Sequence, residues 1–142
     1  MDTNIRKADS ADINDIKKIL SYYFLDTDNV GININQFIVA VLYGKTIGCA
    51  CLDIGDIVEL RSIAVLPAYR NSGTGSKLVD FLLDHAMAMR DAIYLRTMTP
   101  GFFEKKGFKK LPDEKKITIW KDCAQCDRFN ICRQTLMKIM LH

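Results

Sequence analysis

The chain has 142 residues, 49% of them hydrophobic and 26% charged, with a net charge of +3. That length fits one domain able to bury about two thirds of its unfolded surface, and the small charge leaves no footprint for nucleic acid. The polar opening lacks the apolar core of a leader and no stretch reaches the length of a membrane span, so no membrane is expected and the cytoplasm is the expected compartment.

Asn4 to Lys7 reads as a short strand. Asp9 or Ser10 then offers an N-cap for a helix that carries Ile13, Ile16, Leu20 and Tyr23 at helical spacing, with Asp12 and Asp15 where the dipole favours acid. A polar, turn-rich stretch runs from Asp26 to Asn35. Phe37 to Tyr43 and Thr46 to Ile54 are β-rich runs joined by Gly44-Lys45, a predicted hairpin on which Cys49 and Cys51 share one face as small hydrophobes. Ile57 to Leu66 is the next strand.

That strand ends at Leu66-Pro67 and enters Arg70-Asn71-Ser72-Gly73-Thr74-Gly75-Ser76, followed by an amphipathic helix with Leu78, Val79, Leu82, Leu83 and Ala86 on one face. Glycines let consecutive N–H groups converge on an anion at the positive end of the helix, a seat for a diphosphate. Gly73, Gly75 and Lys77 lack the third glycine of a dinucleotide fingerprint, and Gly75-Ser76-Lys77 is the wrong order for a Walker A loop. Arg70, Gly73 and Gly75 instead match the R/Q-x-x-G-x-G/A loop, and the segment resembles the coenzyme A loop of the GNAT superfamily of acetyltransferases.

Beyond the loop, Ile93 to Thr97 reads as a buried strand, Pro100 opens a short helix at Gly101 to Lys105 that Gly107 ends, and Phe108 to Leu111 with Ile117 to Trp120 form a final strand pair. The order is β-α-β-β-β-α-β-α-β-β: an α/β class, mixed sheet with helices on both faces. The GNAT order implies a second N-terminal helix between Leu25 and Gln36, which the sequence does not place. Phe102-Phe103-Glu104-Lys105-Lys106-Gly107-Phe108 is similar to the family's F-Y-E-K-x-G-F segment. The expected architecture is therefore one three-layer GNAT domain over residues 1–120, with a cysteine-bearing extension over 121–142 packed on or extending it.

The resemblance implies direct attack of an amine on the thioester of acetyl-CoA, with no nucleophilic residue. His85 and His142 lie in no motif with a Ser or Cys nucleophile. Deprotonating an α-ammonium of pKa about 8 at pH 7 costs only about 1.4 kcal/mol, against roughly 4.6 for a lysine, so a water-relayed base suffices. Glu59 is the candidate base; alternatively it pairs with Arg61 or another surface cation. The resemblance implies that N–H groups near Ile63 to Val65 polarise the oxyanion and that Ala64 and Val65 line the pantetheine arm, beside the diphosphate loop from Arg70 to Ser76. The tyrosine that many members use as general acid falls at Phe103, beside the cofactor. The thiolate then leaves unassisted, or Thr97 or Thr99 supplies a hydroxyl, or activity is lost.

The segments ELRSIAV and FFEKKGF and the tail from Trp120 to Cys126 are similar to the acetyltransferase domains of short N-acetylglutamate synthases. That implies glutamate as acceptor, with Arg61 and Arg96 placed against its two carboxylates, or each serving as an ion-pair partner. Met98 departs from this subgroup, where a tyrosine often precedes the Pro100-equivalent by two residues. Another amine or a protein N-terminus is the second reading, and a non-catalytic acyl-CoA or thiol sensor the third.

Five cysteines without a leader argue against a disulfide framework. Cys123, Cys126 and Cys132 have the beginnings of a zinc site, with Asp122, Asp127, His142 or water as fourth ligand, or else a structural or redox role without metal. Seven lysines from Lys105 to Lys121, interleaved with acids, form a solvated face or draw the 3′-phosphate of coenzyme A or an acidic substrate. Leu136, Met137, Ile139, Met140 and Leu141 make an apolar tail that docks on the domain or contacts a second copy in a homodimer.

Overall fold

The computed structural model describes residues 3–25, 27–112, 115 and 134–141. Asp9 accepts the Ala11 N–H and caps a 3-10 turn, Ser10–Asp12, which runs into α1, Ile13–Tyr22. Its apolar period buries Ile16, Ile19 and Leu20. A bidentate pair from Arg6 to Asp12, at 2.8 and 2.9 Å, ties this start to β1, Asn4–Lys7, and Asp12 also accepts the Asp9 N–H at 2.9 Å.

β2, Phe37–Leu42, and β3, Lys45–Ile54, form the expected hairpin, with Tyr43 and Gly44 both at positive φ in its turn. β4, Val58–Val65, pairs antiparallel with β3. After the loop come α2, Thr74–Met87, β5, Ala92–Thr97, the short α3, Pro100–Glu104, β6, Lys109–Lys110, and β7, Thr135–Met140. Between Leu25 and Gln36 the described residues make turns and a 3-10 turn, Ile34–Gln36, where the family order implied a helix.

The sheet order is β1-β2-β3-β4-β5-β7-β6, with β4 and β5 parallel and the other neighbours antiparallel. The two-residue period of the strands builds a core on each face. Ile38, Ala40, Ala50, Leu52 and Leu60 pack with Leu78, Val79 and Leu82 of α2, while Phe37, Val39, Cys49 and Cys51 pack with Ile16, Ile19 and Leu20 of α1. Each fully buried leucine or isoleucine contributes about 2 kcal/mol of apolar transfer, which fixes both helices to the sheet. This is the three-layer arrangement expected from the sequence.

The last strands differ from expectation. β6 spans two residues, and its partner is β7, which also pairs with β5 along its whole length, from Ala92 opposite Met140 to Thr97 opposite Thr135. Residues 117–120, expected to supply the last strand, lie outside the described residues. The apolar tail is thus an internal strand: Leu136 and Met137 are fully buried, Met137 in the core that packs against α2. The extension foreseen over residues 121–142 enters the same sheet through this strand. No helix among the described residues is long and apolar enough to cross a membrane.

Candidate active site

Two irregularities in β4 open the sheet. Cys51 pairs with Ser62 and Leu52 with Leu60, so Arg61 is an extra residue, a bulge that bends the strand and re-aims its side chain. The ladder between β4 and β5 holds a single pair, Glu59 with Tyr94. Past that rung the parallel strands part, and the edge of β4 from Arg61 to Val65 faces a cleft of about 630 Å³ bordered opposite by Leu95 to Thr99.

The far end of the cleft is the glycine loop. Gly73, at φ +84°, stands immediately before α2, and Asn71 also has positive φ, 63°. Alternating left-handed residues turn successive N–H groups to one side. The Lys77 N–H returns to the Gly73 carbonyl at 3.1 Å, so the N–H groups of Thr74, Gly75 and Ser76 have no partner within the helix. The loop residues divide by role. Arg70, Asn71, Gly73, Gly75 and Ser76 line the cleft. Ser72 and Thr74 instead hold the loop's shape: the Ser72 hydroxyl donates to the Tyr69 carbonyl and accepts from Thr74 Oγ1 at 2.9 Å. Gly75 has ordinary helical geometry, and its missing Cβ matters because the Phe102 ring lies 3.6 Å from where that atom would be.

Ile63, Ala64 and Val65 line the middle of the cleft. The Tyr23 hydroxyl donates to the Val65 carbonyl there. Thr97 and Thr99 line it too, but Thr97 Oγ1 accepts the Thr99 N–H at 2.9 Å and lies 3.1 Å from Thr99 Oγ1. Phe103 is buried, packed edge-on between Phe102 and Phe108 at ring distances of 5.0 and 5.7 Å, so it closes the cleft floor as an apolar wall.

A second pocket, of about 340 Å³, adjoins the first and shares Leu25, Arg61, Ser62, Arg96 and Gln134 with it. Here lies Glu59, whose side chain is 8% exposed and accepts from Arg96 Nε at 3.1 Å. Arg61 pairs with Asp53 at 3.0 Å instead. Of the cations that could pair with Glu59, the partner is Arg96 on β5 rather than Arg61, which the bulge in β4 leaves with Asp53. Both arginines expected to face acceptor carboxylates carry an acid of their own. Asn29, Asn33 and Gln36 complete the polar wall.

Tyr23, Asp53, Phe102 and Gln134 escaped sequence reasoning. Tyr23 was legible only as the last member of an apolar helical period, and Gln134 belongs to the segment whose placement the sequence concealed. Burial pushes the Cys49 and Cys51 thiols up to about 12, so neither is a nucleophile at neutral pH. Among the described residues no three His, Cys, Asp or Glu are grouped to hold a metal ion; Cys123, Cys126 and Cys132, the candidate zinc ligands, lie outside them.

The cleft between the parting parallel strands ends at a glycine loop on a helix N-terminus, a shape suited to an elongated ligand with an anionic end. Residues 33–110 match the acetyltransferase (GNAT) domain, and the chain belongs to that family. It is 30% identical to an uncharacterized N-acetyltransferase of Chlorobaculum tepidum over 96% of this chain and 95% of that protein. It is 31% identical to an amino-acid acetyltransferase of Mycobacterium tuberculosis over 75% of this chain and 68% of that one. Its fold is similar to that of N-acetylglutamate synthase from Neisseria gonorrhoeae, solved with coenzyme A and N-acetyl-glutamate, with a TM-score of 0.82 at 22% identity over 100% of this chain and 36% of that one.

Proposed function

We propose that this N-acetyltransferase moves the acetyl group of acetyl-CoA to the α-amino group of an amino acid seated in the smaller pocket. The observation that carries the reading is the position of Glu59: at the rung where β4 and β5 part, buried in the acceptor pocket and held by Arg96. The likeness to an amino-acid acetyltransferase supports an amino-acid acceptor, and glutamate is the candidate that the resemblance to N-acetylglutamate synthases gives.

In this reading the diphosphate lies on the N–H groups after Gly73 and pantetheine runs along Val65. The acceptor ammonium passes a proton through water to the Glu59 carboxylate, and the free amine attacks the thioester carbonyl. N–H groups between Ile63 and Val65 stabilise the oxyanion. As the carbon–sulfur bond breaks, the electron pair stays on sulfur, and the nitrogen sheds its second proton through water to the departing thiolate or the solvent. The aliphatic thiol has an ordinary pKa near 8.5, so its anion leaves without a phenol at position 103, with Thr97 and Thr99 as neighbouring hydroxyls. A thiol-release assay over the amino acids and simple amines tests the reading. Turnover confined to α-amino acids supports it; turnover of peptides or simple amines alone, or coenzyme A binding with none at all, overturns it.

A further inference from the structure

Val65 is the last residue of β4, opposite Gly48 on β3, and the N–H of the next residue, Leu66, bonds to the Ile47 carbonyl at 2.8 Å. Hydrogen-bonded and non-hydrogen-bonded pairs alternate along an antiparallel ladder, so Val65 turns its own N–H and carbonyl away from β3. On that side β5 has already parted, and the two groups face the cleft. The Tyr23 hydroxyl donates to the carbonyl. A side chain from the end of α1 thus stands in for the missing rung, on the acceptor that an amide N–H lying along this strand edge would take.

Tyr23 also leads into the smaller pocket. Phe24, the next residue, has φ 58° and is 98% exposed, an aromatic ring in water on a left-handed residue. The Leu25 N–H then returns to the Leu20 carbonyl at 3.0 Å, and Leu25 lines both pockets. Asn29, Asn33 and Gln36, a few residues on, wall the smaller one. We propose that Tyr23 is a latch between the two pockets: its hydroxyl and an amide of the pantetheine arm compete for the Val65 carbonyl, and the arm, by displacing the hydroxyl, releases the residues that wall the smaller pocket. The inference rests on the placement of the arm along Val65 given above. A ligand that fills only the diphosphate loop brings no donor to Val65 and leaves the latch shut, because a ligand shifts only an equilibrium whose two states it binds differently. The protein thereby distinguishes the whole thioester carrier from its nucleotide end.

Tyr23→Phe removes the hydroxyl and keeps a ring that packs against the α1 core and edge-on to Tyr22 at 5.4 Å, so the variant is expected to fold, which thermal unfolding checks. Calorimetry should show coenzyme A bound about three- to tenfold more tightly than by the native protein, the worth of one neutral hydrogen bond freed from competition. ADP, which has the diphosphate but no arm, should bind equally to both. Hydrogen exchange over residues 27–36 should quicken about threefold or more when coenzyme A is added to the native protein, stay unchanged with ADP, and be as fast in Tyr23→Phe before any addition. Coenzyme A affinity unchanged or weakened in Tyr23→Phe overturns the latch, since the hydroxyl then shares or braces the carbonyl, and so does exchange that coenzyme A leaves unchanged or slows. A gain that ADP shows equally overturns it too, by locating the effect at the loop. No heat from coenzyme A with either protein overturns the placement of the arm, and this inference with it; the shifts described support the latch whatever acceptor the enzyme turns over.

Discussion

Arg96 donates from Nε to the Glu59 carboxylate at 3.1 Å, beside the one rung that joins β4 to β5. Arg96 is 15% exposed and Glu59 8%, so the pair is largely withdrawn from water and removing either partner strands a charge. Where the sheet parts, the fold has placed a carboxylate that cannot drift.

Glu59→Gln keeps a hydrogen-bond acceptor for Arg96 and removes the base. The folded protein should persist and kcat should fall about 100-fold. Steady-state rates from pH 6 to 10 check this; an unaltered profile would exclude Glu59 as the base.

Gly73 has room for a side chain but sits at φ +84°. Gly73→Asp brings a carboxylate to the mouth of the diphosphate loop, and calorimetry should show coenzyme A affinity reduced at least tenfold, with acceptor turnover lost in parallel. Undiminished affinity would place the diphosphate elsewhere.

Arg6 beside Asp12 holds that carboxyl below the usual carboxylate range, chiefly through their hydrogen bonds. A depressed folded pKa stabilises above the unfolded value of about 4 and is lost as pH falls through the folded one. Asp12→Asn should cost about 1–2 kcal/mol at pH 7, discounted for the water around Arg6, and the gap should close below pH 4 in denaturant titrations.

Cys49 and Cys51 run the other way. Their thiols stay neutral to about pH 12 when folded, while unfolded thiols ionise near 8.5, so stability should decline as pH rises above about 8.5. Iodoacetamide at pH 8 should leave both unmodified until denaturant is added, as peptide mass spectrometry would show.

Leu136 is fully buried on β7, between β5 and β6. Leu136→Ala should destabilise the whole domain by about 2–5 kcal/mol in a single cooperative transition. Loss of signal from the tail alone would mean that β7 is a detachable appendage.

The strands from Phe37 to Val65 and helix α2 were legible because their apolar periods are strong and bounded by glycines and Pro67. The same local chemistry exposed the anion loop, since positive φ at Gly73 is a property of a few consecutive residues. The C-terminal strand was not legible: a run such as Leu136 to Leu141 shows that it will be buried, but not between which partners.

Sequence alone settled the family and the layered α/β class and marked the glycine loop, since class and loop arise from short-range steric and periodic rules. Tertiary structure decided which charges meet. Arg61, Arg96, Asp53 and Glu59 were visible as residues, but their pairing depends on a bulge in β4, a register between β3 and β4, and the parting of β4 from β5. Those are relations between distant segments, and electrostatic partners are chosen by distance in space rather than along the chain.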